Sequence, residues 1–120
     1  MADSFLSLLD QRVVIFDGAM GTSIHRHEPT EADWGGKDLV NCTDWMVMTR
    51  PDIVHAIHRS FLAVGCDAIE TNTFGASSLT LAEFGLQEHT VEVNRRAAQI
   101  AREAVSEFTN PDWPRFVVGS

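Results

Sequence analysis

Two stretches of this chain break off an apolar run abruptly in residues able to hold a small charged molecule. Val13-Val-Ile-Phe16 runs into Asp17-Gly18, and Ala68-Ile69 runs into Glu70, Thr71, Asn72 and Thr73, followed by Phe74-Gly75. Asp17 offers a carboxylate to an ammonium group. The threonines bring hydroxyls, Asn72 an amide, and the glycines leave backbone N–H groups accessible. That set suits a small zwitterion. Either stretch alone also reads as an ordinary turn, because Asp bonds its own backbone and Gly tolerates positive φ. Their joint occurrence as strand ends in a β-α-β order favours a site, since the strand ends of an α/β barrel carry the chemistry and the opposite ends serve stability.

The elements that must position these residues follow from periodicity. Ser4 to Gln11 reads as a short amphipathic helix, and Val13 to Phe16 as a first strand. Residues 23–48 form a long irregular segment, of a length that is more often functional or locally ordered than empty. A helix then starts at Thr49-Arg-Pro-Asp52, where Thr49 can cap, Pro51 fits the first turn and Asp52 suits the exposed N–H groups. Ile53, Ile57, Phe61 and Val64 give it a core-facing stripe, and Gly65 ends it. A second strand spans Ala68 to Thr71. Ser78 to Phe84 is a short helix ended by Gly85, and Thr90 to Phe108 a longer one with Val93, Ala97, Ile100, Ala101, Ala104 and Val105 inward. Its charged residues, among them Glu92, Arg95, Arg96, Arg102, Glu103 and Glu107, are read as a solvated face.

Asn110-Pro-Asp-Trp-Pro114 breaks that helix before a third strand, Arg115 to Ser120. Strands alternating with helices imply a parallel sheet. Val13, Ile15, Ile69 and Val117 are expected on its inward faces, whereas strand parity separates Ile69, Thr71 and Thr73 from Glu70 and Asn72. The third strand closes the sequence before the layers it needs are supplied, so a fragment of a longer chain is expected. With three strands, such a fragment should be aggregation-prone or molten in isolation.

The 120 residues suffice for one small domain with a real core. A formal net charge of −8 argues against nucleic acid, which rewards clustered Lys and Arg. No stretch is long enough for a membrane span, and no basic region precedes an apolar one at the start, so a cytosolic protein is the simplest reading. His25 and His27 fall in the irregular segment and read as solvated; His55 and His58 fall off the apolar stripe of their helix and read as surface. Cys42 and Cys66 are too few for a disulfide framework and have no zinc-ligand spacing; Cys66 reads as a small buried residue.

Taken in order, Asp17-Gly-Ala-Met-Gly-Thr22, Leu39-Val-Asn-Cys42, Thr49-Arg-Pro-Asp-Ile-Val54, Ile69-Glu-Thr-Asn-Thr-Phe-Gly75 and Glu92-Val-Asn-Arg-Arg96 resemble the N-terminal homocysteine-binding module of the cobalamin-dependent methionine synthases. The resemblance runs from about Val13 to Ser120. It implies an α/β fold in which residues 1–120 are the N-terminal part, about three βα units, of a (β/α)8 TIM barrel that binds homocysteine at its C-terminal mouth. It also implies the reaction: a zinc-held homocysteine thiolate takes a methyl group from methylcobalamin, regenerated from 5-methyltetrahydrofolate, to give methionine. Cobalamin and folate would sit on other modules of the full-length chain. Carried over by position, Asp17 should meet the ammonium and Gly18 should offer its N–H near the carboxylate. Thr71 and Phe74 should line the pocket, and Asn72 is a further substrate-binding candidate that could as easily hold loops together. The three cysteines that bind zinc in such enzymes have no counterpart here, so neither a catalytic nor a metal-binding residue is expected in this chain, and the fragment alone should be inactive. Two alternatives stay open: a betaine- or S-methylmethionine-dependent homocysteine methyltransferase, and a non-catalytic barrel remnant or binding protein.

Overall fold

A computed structural model describes residues 4–120. Helix α1 (Phe5–Leu9) is capped by Ser4, whose hydroxyl accepts the Ser7 N–H. Residues 13–16, expected as a full strand, pair with the sheet through a single parallel bridge, Phe16 to Ala68. The regular strands are β1 (Ala68–Glu70) and β2 (Phe116–Val118), parallel and in register Ala68↔Phe116, Ile69↔Val117, Glu70↔Val118. The Ile15 carbonyl accepts the N–H groups of Asp67 and Ala68, at 2.8 and 3.1 Å, so segment 13–17 lies along the free side of β1. The architecture is α/β, with helices on a small parallel sheet.

The segment expected to be irregular is locally ordered. α2 (Met20–Arg26) runs into it, α3 (Glu31–Trp34) lies within it and α4 (Met46–Thr49) closes it, with single 3-10 turns at Lys37–Leu39 and Thr43–Trp45. Thr30 and Asp33 close a reciprocal capping box on α3, a local signal that lies within the sequence itself. Its buried side chains Ile24, Trp34, Met46 and Val47 join the main core. The segment is thus anchored by apolar burial of about 1.5–3 kcal/mol for each large side chain.

Helix α5 (Pro51–Ala63) starts after Arg50, not after a Thr49 cap; the Thr49 hydroxyl points to the Met46 sulfur instead. Its buried face is Ile53, Val54, Ile57, His58 and Leu62. Two expectations fail here. Val64 lies past the last turn and is 83% exposed, and His58 is wholly buried. Position 58 is four residues from both Val54 and Leu62, the geometry of one helix face, so it belongs to the buried stripe whatever its polarity. The chain leaves α5 through Gly65, whose φ of 111° requires glycine.

After α6 (Ser78–Leu81) comes α7 (Thr90–Ser106), which buries the six residues expected of it: Val93, Ala97, Ile100, Ala101, Ala104 and Val105. Small alanines let α7 lie close to α5, and the two helices share both halves of the core. Ile69 and Val117 pack into this helix-facing cluster with Leu62, Ala101 and Ala104, which corrects their expected inward placement. The opposite face carries Phe16, Ala68 and Phe116, and α1 lies over it. The Phe5 ring meets Phe16 and Phe116 edge-on, with centroids 6.1 and 5.5 Å away. Val13, also expected inward, is 78% exposed, and Ile15 is exposed beside it.

Candidate functional site

The C-terminal ends of β1, β2 and segment 13–17 open into one cavity of about 430 Å³. Asp17, Gly18, Thr71, Asn72 and Phe74 all line it, together with Thr43, Asp44, Glu70 and Gly75. Among the described residues three side-chain carboxylates and no Lys or Arg line this space, so the cavity is electronegative and suits a cation.

The Asp17 backbone N–H donates to the Ala68 carbonyl at 3.1 Å, and among the described residues its carboxylate accepts one hydrogen bond, from the Glu70 N–H to Oδ1 at 3.1 Å. Burial is the main cause that raises its pKa to about 6; the neighbouring Glu70 charge adds to it and the Glu70 N–H opposes it. A desolvated, weakly satisfied carboxylate at a strand end is a natural partner for an ammonium group. Beside it, among the described residues no group accepts the Gly18 N–H. A β-carbon at Gly18 would make only ordinary contact with the Phe61 ring, at 3.8 Å, so the glycine is not demanded by packing there.

Two of the other candidates, Thr71 and Asn72, are engaged with protein. The Thr71 hydroxyl shares a 2.7 Å hydrogen bond with that of Thr73 and accepts the Ser120 N–H at 3.2 Å, which staples the end of β1 to the end of β2. Asn72 is buried and donates its amide to the Thr43 carbonyl at 2.9 Å. The same residue lines the cavity, so the tie to the 43–45 turn and a place in the pocket wall go together. Phe74 stands at the rim with 95% of its surface exposed.

Asp44 had no place in the sequence reading. Its Oδ1 accepts the Gly75 N–H at 3.1 Å, and burial raises its pKa. A β-carbon at Gly75 would fall 2.7 Å from its Oδ2, so glycine is needed there for space. Asp44 stands in the run Asn41-Cys-Thr-Asp-Trp45, and nothing in that run points to Gly75.

No set of three or more His, Cys, Asp or Glu side chains among the described residues is arranged to hold a metal ion. Cys42 and Cys66 are both buried, and burial pushes both thiols up. His25 and His27 are exposed, and the His25 ring lies 5.4 Å from that of Trp34. No helix among the described residues is long and apolar enough to cross a membrane.

A family model described as homocysteine S-methyltransferase matches residues 14–120. The chain belongs to the homocysteine S-methyltransferase family. It is 37% identical over 115 residues to the methionine synthase of Mycobacterium tuberculosis, and 39% identical over 115 residues to that of Mycobacterium leprae. Each match covers 96% of this chain, but 10% and 9% of the respective relative. The chain therefore spans about a tenth of the length of these curated relatives. Among solved structures, the metallated form of the homocysteine methyltransferase MmuM from Escherichia coli superposes with a TM-score of 0.71. That match covers 94% of this chain and 39% of that one at 22% identity, a likeness of fold.

Proposed function

We propose that residues 1–120 are the N-terminal part, about three βα units, of a (β/α)8 barrel domain, and that they supply part of a homocysteine pocket. In the complete protein that pocket would serve methyl transfer from methylcobalamin, itself recharged from 5-methyltetrahydrofolate, to the homocysteine sulfur. The observation that carries this reading is Asp17. In a chain of this family, a desolvated carboxylate stands at a strand end, on a cavity with no basic side chain in its walls. The ammonium of homocysteine would dock on Asp17, its carboxylate near the Gly18 N–H, and Thr71 and Phe74 would bound the pocket. Asn72 would act by fixing the wall.

The names of the relatives at 37–39% identity support the methionine synthase type over betaine- or S-methylmethionine-dependent enzymes. Their length supports the presence of further modules that would carry cobalamin and folate. The side chains described here do not make a zinc site. A thiol becomes a good nucleophile when a cation removes its proton, so that activation would fall to zinc ligands elsewhere in the protein. What this part contributes is orientation: with the amino-acid end fixed, the sulfur is presented to its donor in line.

The open side of segment 13–17, with exposed Val13 and Ile15, is the place where a closing barrel would add a strand. We expect a cytoplasmic enzyme, inactive when cut down to these residues.

Calorimetry of the full-length protein with L-homocysteine and with N-acetyl-L-homocysteine tests the reading. The acetylated compound has lost its ammonium and should bind at least ~10-fold more weakly, the scale of one charged hydrogen bond. Equal affinities would remove Asp17 from the role assigned to it.

A further inference from the structure

Two hydrogen bonds join the loop after β1 to the turn at residues 43–45. Asn72 Nδ2 donates to the Thr43 carbonyl at 2.9 Å, and the Gly75 N–H donates to Asp44 Oδ1 at 3.1 Å. The acceptors are consecutive residues and the donors bracket Thr73-Phe74, so the loop is gripped at two points. A third bond continues the grip, with Asn94 of α7 donating to the Ala76 carbonyl at 2.9 Å. The Asp44 carboxylate lies against the Gly75 α-carbon, where any β-carbon would stand 2.7 Å from Oδ2 and 3.4 Å from the Thr80 methyl. Asp44 is thus matched to a glycine in shape as well as in bonding.

We propose that Asp44 is a positioning residue for the homocysteine pocket, holding the 71–75 wall in its binding conformation through the Gly75 N–H without itself touching the ligand. The inference rests on the reading that this cavity takes homocysteine. It gives the long 23–48 segment a task. That segment is fixed to the core by Ile24, Trp34, Met46 and Val47, and it transmits that rigidity to a loop that would otherwise follow a three-residue strand unsupported. Asp44 and Asn72 are the buried partners in the grip, and a buried polar group left without its partner carries a desolvation cost, so the loop would move to recover one.

The alternative role for a carboxylate in this place is direct contact with the ammonium. Three variants of the full-length protein separate the two. Asp44→Asn keeps an oxygen for the Gly75 N–H and discards the charge. Asp44→Ala discards both, and Gly75→Ala pushes the carboxylate away from the other side. Asp44→Ala and Gly75→Ala should each raise KM for homocysteine by about tenfold with kcat changed by less than about threefold, while Asp44→Asn stays within about threefold of the parent in both. Asp44→Asn as impaired as Asp44→Ala would mean that the charge matters and would overturn the proposal, as would an unaffected Asp44→Ala.

Hydrogen exchange at the Gly75 amide reads the grip without any ligand. Slow exchange is expected in the parent and in Asp44→Asn, and faster exchange in Asp44→Ala. Rapid exchange in the parent would refute the grip even if the alanine variants failed to fold. A protein with a slow Gly75 amide that binds no homocysteine would instead refute the assigned ligand and leave the grip standing.

Discussion

Asp67 and Asp17 stand at opposite ends of the same small sheet, and their surroundings are opposite too. Asp67 precedes β1 and is buried with four donors on its two oxygens. Arg12 binds both, at 2.8 and 2.9 Å, the Trp113 indole N–H takes Oδ1 at 2.8 Å, and the Ile15 N–H takes Oδ2 at 2.9 Å. The Arg12 guanidinium, more than any other neighbour, holds that carboxyl well below the usual carboxylate range. Asp17, the last residue of segment 13–17, has one side-chain donor among the described residues and a pKa raised to about 6. Two identical side chains are thus tuned in opposite directions. At the N-terminal end of the strands the charge is fully paired within the fold, and at the C-terminal end it is left short of partners beside a cavity. Arg115 reinforces the first end, donating to the Leu62 and Cys66 carbonyls at 2.9 and 3.0 Å while stacking on Trp113. One end is built for stability; the other, on the function proposed above, would receive the homocysteine ammonium.

Breaking the paired end should have the largest effect. Asp67→Ala strands the Trp113 and Ile15 donors and returns the exposed Arg12 to solvent, and should cost the full-length protein about 2–4 kcal/mol of stability at neutral pH. Denaturant unfolding would measure it, and homocysteine affinity in the folded fraction should be unchanged. The sign with pH is set by the direction of the shift. Because the folded carboxyl titrates below its unfolded counterpart, the Asp67 contribution is present at neutral pH and lost as pH falls into the acid range.

His58 acts in the same direction at milder pH. Among the described residues neither of its ring nitrogens has a partner, and burial, helped by the nearby His55, lowers its pKa from 6.5 to about 4. The unfolded chain therefore binds a proton that the folded one refuses. Stability is full above about pH 6.5 and falls toward pH 4, by up to about 3 kcal/mol. His58→Leu should flatten unfolding free energy against pH in that interval. An unchanged slope would place the acid sensitivity elsewhere.

How far the sequence foretold this depends on the residue considered. The six inward residues of α7 were legible because an apolar 3.6-residue period admits one helix and one face. The strand ends were legible because Asp17-Gly18 and the Glu70-Thr-Asn-Thr73 run break apolar segments sharply. The facing of Ile69 and Val117 was not, since in a parallel sheet both faces are apolar and alternation carries no sign. His58 was misplaced because a polar residue was assigned to solvent, whereas a neutral imidazole fills core volume well enough to occupy a stripe position. Residues 23–48 hid their helices, each too short for a periodic signal, and Asp44 was missed because its partner is a backbone N–H 31 residues away.

At the other end, smaller losses are expected in binding and none in folding. Asp17→Asn should weaken homocysteine binding by ~1.5–3 kcal/mol, the scale of a charged hydrogen bond, with zinc content and unfolding midpoint unchanged. Calorimetry beside a denaturant curve would show whether binding and stability separate as Asp17 and Asp67 demand.

The comparison is tested most directly by the affinity for L-homocysteine measured from pH 5 to pH 7 in the parent and in Asp17→Asn. An ammonium requires the ionised carboxylate, and a group titrating at about 6 is mostly protonated at the lower limit. Affinity in the parent should therefore rise about tenfold more across that range than in the variant, because thiol and metal titrations are common to both. Parallel pH profiles for the two proteins would contradict the account.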